Sequence, residues 1–119
     1  MHNFKELIIW QKAIDFAVQT YKVSGSFPQE EKYGLTNQLR RSAVSIASNI
    51  AEGSGRNGNK EFAQFLGIAT GSGYEAETQI IIANKLGFIS NENSEEILNN
   101  ITEIHRMMYV FSNKIKGIV

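Results

Sequence analysis

Gln38-Leu39-Arg40-Arg41-Ser42-Ala43-Val44-Ser45-Ile46-Ala47-Ser48-Asn49-Ile50-Ala51-Glu52-Gly53 is the stretch whose reading decides the fold. Leu35, Leu39, Ala43, Ile46 and Ile50 step along it by four, four, three and four, the apolar stripe of an amphipathic helix. Gln38, Arg41, Ser45, Asn49 and Glu52 form a second stripe that is polar but mostly small and uncharged. A face turned only to water would carry more Lys and Glu. The helix therefore has a core side and a side built to meet another element.

The same periodicity extends in both directions. Upstream, Leu7, Trp10, Ile14, Ala17 and Tyr21 alternate three and four apart, predicting a first helix over about 4–23. Ser24-Gly25-Ser26-Phe27-Pro28 interrupts it, and Pro28, the single proline, suits the first turn of a second helix over about 29–53, with Glu30 and Glu31 near its positive dipole end. Gly53-Ser54-Gly55-Arg56-Asn57-Gly58 is a turn-rich joint. A third helix follows over about 59–86, capped by Asn57 or Asn59 and carrying Phe62, Phe65, Leu66, Ala69, Ala76, Ile80, Ala83 and Leu86. Gly67, Gly71 and Gly73 lie inside it and lower its propensity by up to about 1 kcal/mol each, while letting a neighbouring helix approach closely. Ser90 or Asn93 caps a fourth helix over about 91–116, in which Ile97, Ile101, Ile104, Met108, Phe111 and Ile115 alternate four and three. Four long helices on short loops make an all-α, antiparallel up-down-up-down four-helix bundle, a single domain over 1–119.

Composition narrows the function. Lys plus Arg and Asp plus Glu both number 12, so the net charge is zero, which argues against coating nucleic acid by bulk charge but not against a local basic patch. There is no Cys, which removes disulfides and thiolate metal sites. The amino-terminal residues lack a secretory pattern, and no apolar run approaches the roughly 18 residues that span a bilayer, so a cytoplasmic location without membrane contact is expected.

One feature exceeds the needs of a lone bundle. Ile80, Ile81 and Ile82 point about 100° apart on a helix and cannot share one core. With Tyr74 and Phe88 nearby, Ile81 and Ile82 predict a second apolar surface and self-association.

Chemistry is harder to find. Arg40 and Arg41 diverge by about 100°; phosphate contact is weighed against an interhelical ion pair of Arg41 with Glu75 or Glu52, and the ion pair is favoured because charges near a bundle core need partners, leaving Arg40 as the exposed one. The joint through Lys60 could hold an anion with Arg56 and Lys60, but it lacks the spacing of a phosphate-binding loop and follows a helix, so an interhelical turn is the better reading. Gly71-Ser72-Gly73 reads as close helix packing. His2 and His105 form no ligand pair, and no nucleophile–base or paired-carboxylate set stands out. Ser45 and Asn49 suit hydrogen bonds across helices. Neither an enzyme nor a cofactor, metal or small-molecule substrate is implied.

Leu7, Trp10, Ala13, Phe27-Pro28, Glu31, Leu35, Gln38, Arg40-Arg41 and Ser45-Ile46, together with Asn49-Ile50-Ala51-Glu52-Gly53, Phe62, Phe65-Leu66, Gly71-Ser72 and Glu75, form a wider pattern. The pattern resembles the four-helix-bundle proteins encoded in intervening sequences of bacterial 23S ribosomal RNA genes, most clearly from Leu7 to Gly87. The resemblance implies a left-handed bundle that assembles as a pentamer around a central channel, in a family without an established activity. That family is also similar to the accessory protein of diversity-generating retroelements, a strongly basic pentameric bundle that binds nucleic acid and partners a reverse transcriptase. Carried across by position, the resemblance makes Arg40, Arg41 and Arg56 candidates for weak RNA or DNA contact, in a chain that departs from that relative by being neutral. The expectation is a homo-oligomeric interaction protein; the alternative is a nucleic-acid-binding accessory module acting with a partner enzyme such as a reverse transcriptase.

Overall fold

In the computed structural model, which describes residues 3–117, four helices form the bundle: α1 (Ile8–Ser24), α2 (Leu35–Ser54), α3 (Asn59–Lys85) and α4 (Asn91–Lys116). The molecule measures 44 × 24 × 20 Å, one helix length by two helix diameters. Each helix packs on its neighbours in sequence, α1 and α4 close the square, and the diagonal pairs stay out of backbone contact. Short loops between adjacent helices make them antiparallel, so α1 and α3 start at the end where α2 and α4 finish.

The α2 stripe is where the spacing places it: Leu39, Ala43, Ile46 and Ile50 are fully buried. In α1 the buried line is Ile9, Ala13, Phe16 and Thr20, one position from the expected seam. Leu7, Trp10, Ile14 and Ala17 flank it half-buried, and Tyr21 is exposed. Ala13 and Thr20 bring α1 close to its neighbours, and the bulkier residues wrap around that line.

The second helix starts later than its proline suggests. Gln29–Glu31 is a single 3-10 turn, and α2 begins at Leu35, whose N–H donates to Glu31 Oε1 at 3.1 Å. Glu31 thus caps α2 from four residues upstream. Neither Asn57 nor Asn59 caps α3, because Gly58 holds that position without a side-chain bond. Ser90 does cap α4: its Oγ accepts the Asn93 N–H at 3.1 Å. α3 runs unbroken for 27 residues through its three glycines.

α2 and α3 make the most intimate pair. A Cβ on Gly53 would lie 2.6 Å from Phe65 Cβ and 2.9 Å from Phe62 Cδ1, so only glycine fits there. Ser45 Oγ and Ser72 Oγ are hydrogen-bonded at 2.9 Å, and Asn49 Nδ2 donates to Ser45 Oγ at 2.9 Å. Of the small polar face of α2, Ser45 thus bonds α3, while the Asn49 amide stays within α2 on the Ser45 carbonyl and hydroxyl.

Candidate interaction surfaces

Arg40 and Arg41 exchange the roles expected of them. Arg40 is half-buried: its Nε donates to Ser24 Oγ at 2.8 Å, an Nη donates to the Tyr21 carbonyl at 3.2 Å, and its guanidinium stacks 4.6 Å from the Tyr21 ring. It clamps α2 to the carboxyl end of α1, where unpaired carbonyls and the helix dipole favour a cation. Arg41 is exposed and makes no ion pair with Glu75 or Glu52. Glu52 instead bonds Arg56 at 2.8 Å, and Arg56 also covers the Phe65 ring at 4.8 Å. The reason is geometric, since the last turn of α1 lies beside Arg40 and away from Arg41.

Lys60 is exposed in the first turn of α3 and lines an open cleft of about 610 Å³ with Asn59, Gln64 and Lys116. Arg40 and Arg41 sit near the opposite end of α2 from Arg56, roughly 22–24 Å away by helical rise. The four cations form no single patch on one chain.

The apolar residues sort differently. Ile80 is fully buried, whereas Tyr74, Ile81 and Ile82 are 57%, 40% and 44% exposed. Phe88 faces inward instead, its ring 5.6 Å from Phe27, closing the end of the core. The outer face of α3 also carries Ile68, which the sequence reading missed, and Gly67 and Gly71, where an added Cβ would meet nothing within 4 Å. Gly71 therefore makes no close packing within the chain. Gly73 does, because a Cβ there would run into His105 Nε2.

His105 sits at the border of the α3–α4 seam. Its Nε2 lies 3.2 Å from the Thr70 carbonyl, which can only accept, so that nitrogen carries the proton. Nδ1 faces Glu77 Oε1 at 3.9 Å, and the Tyr74 ring covers the imidazole at 4.3 Å. Burial pushes its pKa below the ordinary 6.5, against the opposing pull of the Thr70 bond and the Glu77 charge. The imidazole is a neutral packing element. Among the described residues, no group of three or more His, Asp or Glu is placed to hold a metal ion, and no helix is long and apolar enough to cross a membrane.

A second surface, absent from the sequence reading, opens between α1 and α4. The upper part of that seam is closed by Lys12–Glu103 at 3.2 Å and by Asn100 Nδ2 donating to Gln19 Oε1 at 2.8 Å. Below them lies an apolar groove of about 470 Å³ lined by Leu7, Ile8, Met107, Val110 and Phe111, with Arg106 and Lys114 along its α4 wall. Its only advance signal is that Val110 breaks an otherwise polar flank.

The four-helix bundle has a counterpart among known proteins. The profile of the 23S rRNA-intervening sequence proteins matches residues 5–110. The chain belongs to the 23S rRNA-intervening sequence protein family. A crystal structure of a protein with unknown function from the S23 ribosomal protein family of Bacteroides thetaiotaomicron shares the fold, with a TM-score of 0.82 at 24% identity over 88% of this chain and 98% of the other. No curated protein sequence matches the chain. On this family member the exposed features are the outer face of α3, the α1–α4 groove and the unpaired surface cations among the described residues.

Proposed function

We propose that this member of the 23S rRNA-intervening sequence protein family is a small non-enzymatic interaction protein that works in the cytoplasm as a homo-oligomeric bundle, five-fold by family resemblance. The observation that carries the reading is the outer face of α3. That face leaves Ile68, Tyr74, Ile81 and Ile82 outside the core of a chain that already has a full one. Large exposed apolar surface on a stable fold marks an interface. Gly67 and Gly71, each unfavourable in a helix and unneeded by any neighbour in the chain, leave this face low enough for another helix to lie close.

Light scattering coupled to size-exclusion chromatography at micromolar concentration tests it. The expected result is a mass several times 13.3 kDa, lowered by an Ile81→Glu, Ile82→Glu double variant that keeps its helical circular dichroism. A wild-type monomer sinks the reading.

One observation favours a second role for the same assembly, as a nucleic-acid-binding accessory module acting with a partner enzyme such as a reverse transcriptase. Lys60 and Lys116 share one open cleft at the end of the bundle that also bears Arg56. Repetition around an oligomer would turn one weak cleft into a ring of cations. Binding to structured RNA at low salt should then weaken steeply as salt rises and on Lys60→Ala. Unchanged mobility of the RNA at low salt counts against it.

A further inference from the structure

We infer that the groove between α1 and α4 receives the outer ridge of α3 from a second copy of this chain, so that the assembly is built head to tail from two different surfaces. The inference rests on the oligomeric reading above and names the contact.

The ridge is a seven-residue repeat. Glu61, Ile68, Glu75 and Ile82 lie one above another on α3, all four exposed, in an acidic–apolar–acidic–apolar order. The α4 wall of the groove carries the reverse charge, with one carboxylate, Glu6, on the opposite side. Along its α4 wall Arg106, Val110 and Lys114 step by four, a cation, an apolar residue and a cation, beside the apolar floor supplied by Leu7, Ile8 and Phe111. Val110 is 59% and Ile8 58% exposed. None of Glu61, Glu75, Arg106 and Lys114 has an ion-pair partner among the described residues.

The two surfaces cannot meet within one chain, because α1 and α3 sit on a diagonal of the square and the ridge faces outward. Between two copies standing the same way up, the levels meet once one copy slides about 4–5 Å along the bundle axis. Glu61 is in the first turn of α3 and Lys114 in the last turn of α4, at the same end of the bundle. By helical rise Ile68 stands about 10 Å above Glu61, while Val110 and Arg106 stand about 6 and 12 Å above Lys114. With that slide Ile68 comes level with Val110, and Glu61 and Glu75 stand about 4–5 Å beyond Lys114 and Arg106, an offset that these long side chains span. Because the ridge and the groove are different surfaces, the contact is heterologous and propagates around a ring, whereas two identical patches would stop at a dimer.

The absence of Cys makes the test direct. Ile68→Cys and Val110→Cys variants, each exposed and each keeping the helical spectrum, are mixed under subunit exchange and oxidised. The expected product is the mixed Ile68→Cys/Val110→Cys disulfide, with little self-crosslinking of either variant. In parallel, reversing the groove (Arg106→Glu with Lys114→Glu) should drop the wild-type mass to monomer. Reversing the ridge as well (Glu61→Lys with Glu75→Lys) should restore it. Wild-type oligomers that crosslink only Val110→Cys to Val110→Cys, or keep their mass after groove reversal, overturn the inference and leave the oligomeric reading standing. A groove filled by some other partner would show as those same unaffected oligomers. A wild-type chain that is monomeric at every concentration overturns both.

Discussion

Ile80 and Ile82 are two residues apart on α3 and belong to different economies. Ile80 has no accessible surface and is surrounded by core, whereas Ile82 is 44% exposed. The glycines repeat the contrast. Gly53 on α2 and Gly73 on α3 face inward and have no room for a methyl group, while Gly67 and Gly71 face outward over empty space. Inside the bundle, residue choice answers to neighbours in the same chain. On the outer face of α3, large apolar side chains and bare helix backbone answer to nothing among the described residues, which is the ground for proposing that face as an interface.

Truncation of the isoleucines is the strongest way to break this contrast. Ile80→Ala should cost about 2–5 kcal/mol of stability, because the hole it leaves is walled by a closed core. Ile82→Ala should change the stability of the isolated chain by no more than about 0.5 kcal/mol, its effect falling on assembly instead. Urea unfolding, done dilute enough to separate the chains, measures both. Equal losses at the two sites would erase the distinction between the faces.

The glycines sharpen it. Gly53→Ala forces a methyl against Phe65 and Phe62 and should destabilise by about 1–3 kcal/mol. Gly71→Ala should instead stabilise the dilute chain by up to about 1 kcal/mol, since alanine is the better helix former and nothing blocks it. The same substitution should weaken self-association by holding the neighbouring helix away. A thermal melt of the dilute protein and a concentration series read the two effects separately.

How far the amino-acid sequence shows these things depends on how local their causes are. The α2 stripe is legible because Leu39, Ile46 and Ile50 are large, regularly spaced and on one face. The α1 stripe is displaced by one because its true centre uses Ala13 and Thr20, which a search for bulk passes over. The late start of α2 depends on one carboxylate, Glu31, reaching the Leu35 N–H, and Pro28 gives no sign of it. The α1–α4 groove joins Leu7 and Ile8 to Val110 and Phe111, about a hundred residues away in sequence, so no local pattern announces it. The seven-residue repeat of Glu61, Ile68, Glu75 and Ile82 was visible in principle, but the adjacent run of three isoleucines outweighs it.

The exchange between Arg40 and Arg41 is a subtler case of the same contrast, with both residues on one turn of α2. Arg40→Ala removes two hydrogen bonds and a ring contact that tie α2 to α1, and should cost about 1 kcal/mol, a modest figure for a charged hydrogen bond because the site is partly solvated. Arg41→Ala breaks no ion pair or side-chain hydrogen bond among the described residues and should stay within about 0.5 kcal/mol. Loss of RNA binding on Arg41→Ala with unchanged stability would assign that side chain to a partner, while an effect on stability alone would tie it to the fold.

The smallest expected effect lies where the two regions touch. His105 is packed against the bare backbone of Gly73 on its inner side and covered by Tyr74, an outer-face residue, on the other. Burial lowers its pKa in the folded chain below the unfolded value of 6.5, so in that window the unfolded state binds the additional proton. Stability should therefore fall as the pH drops below about 6.5 and level off once the folded imidazole also protonates. The carboxylates add their own acid dependence, so the informative quantity is the difference between wild type and His105→Gln, which keeps the ring-sized polar group without the titration. That difference should shrink on Tyr74→Ala, which opens the imidazole to water and returns its pKa toward normal. It should grow on assembly if a second copy covers Tyr74. A wild-type and a His105→Gln protein that lose stability in parallel between pH 7 and pH 5 would show that the imidazole is as well solvated in the folded chain as in the unfolded one.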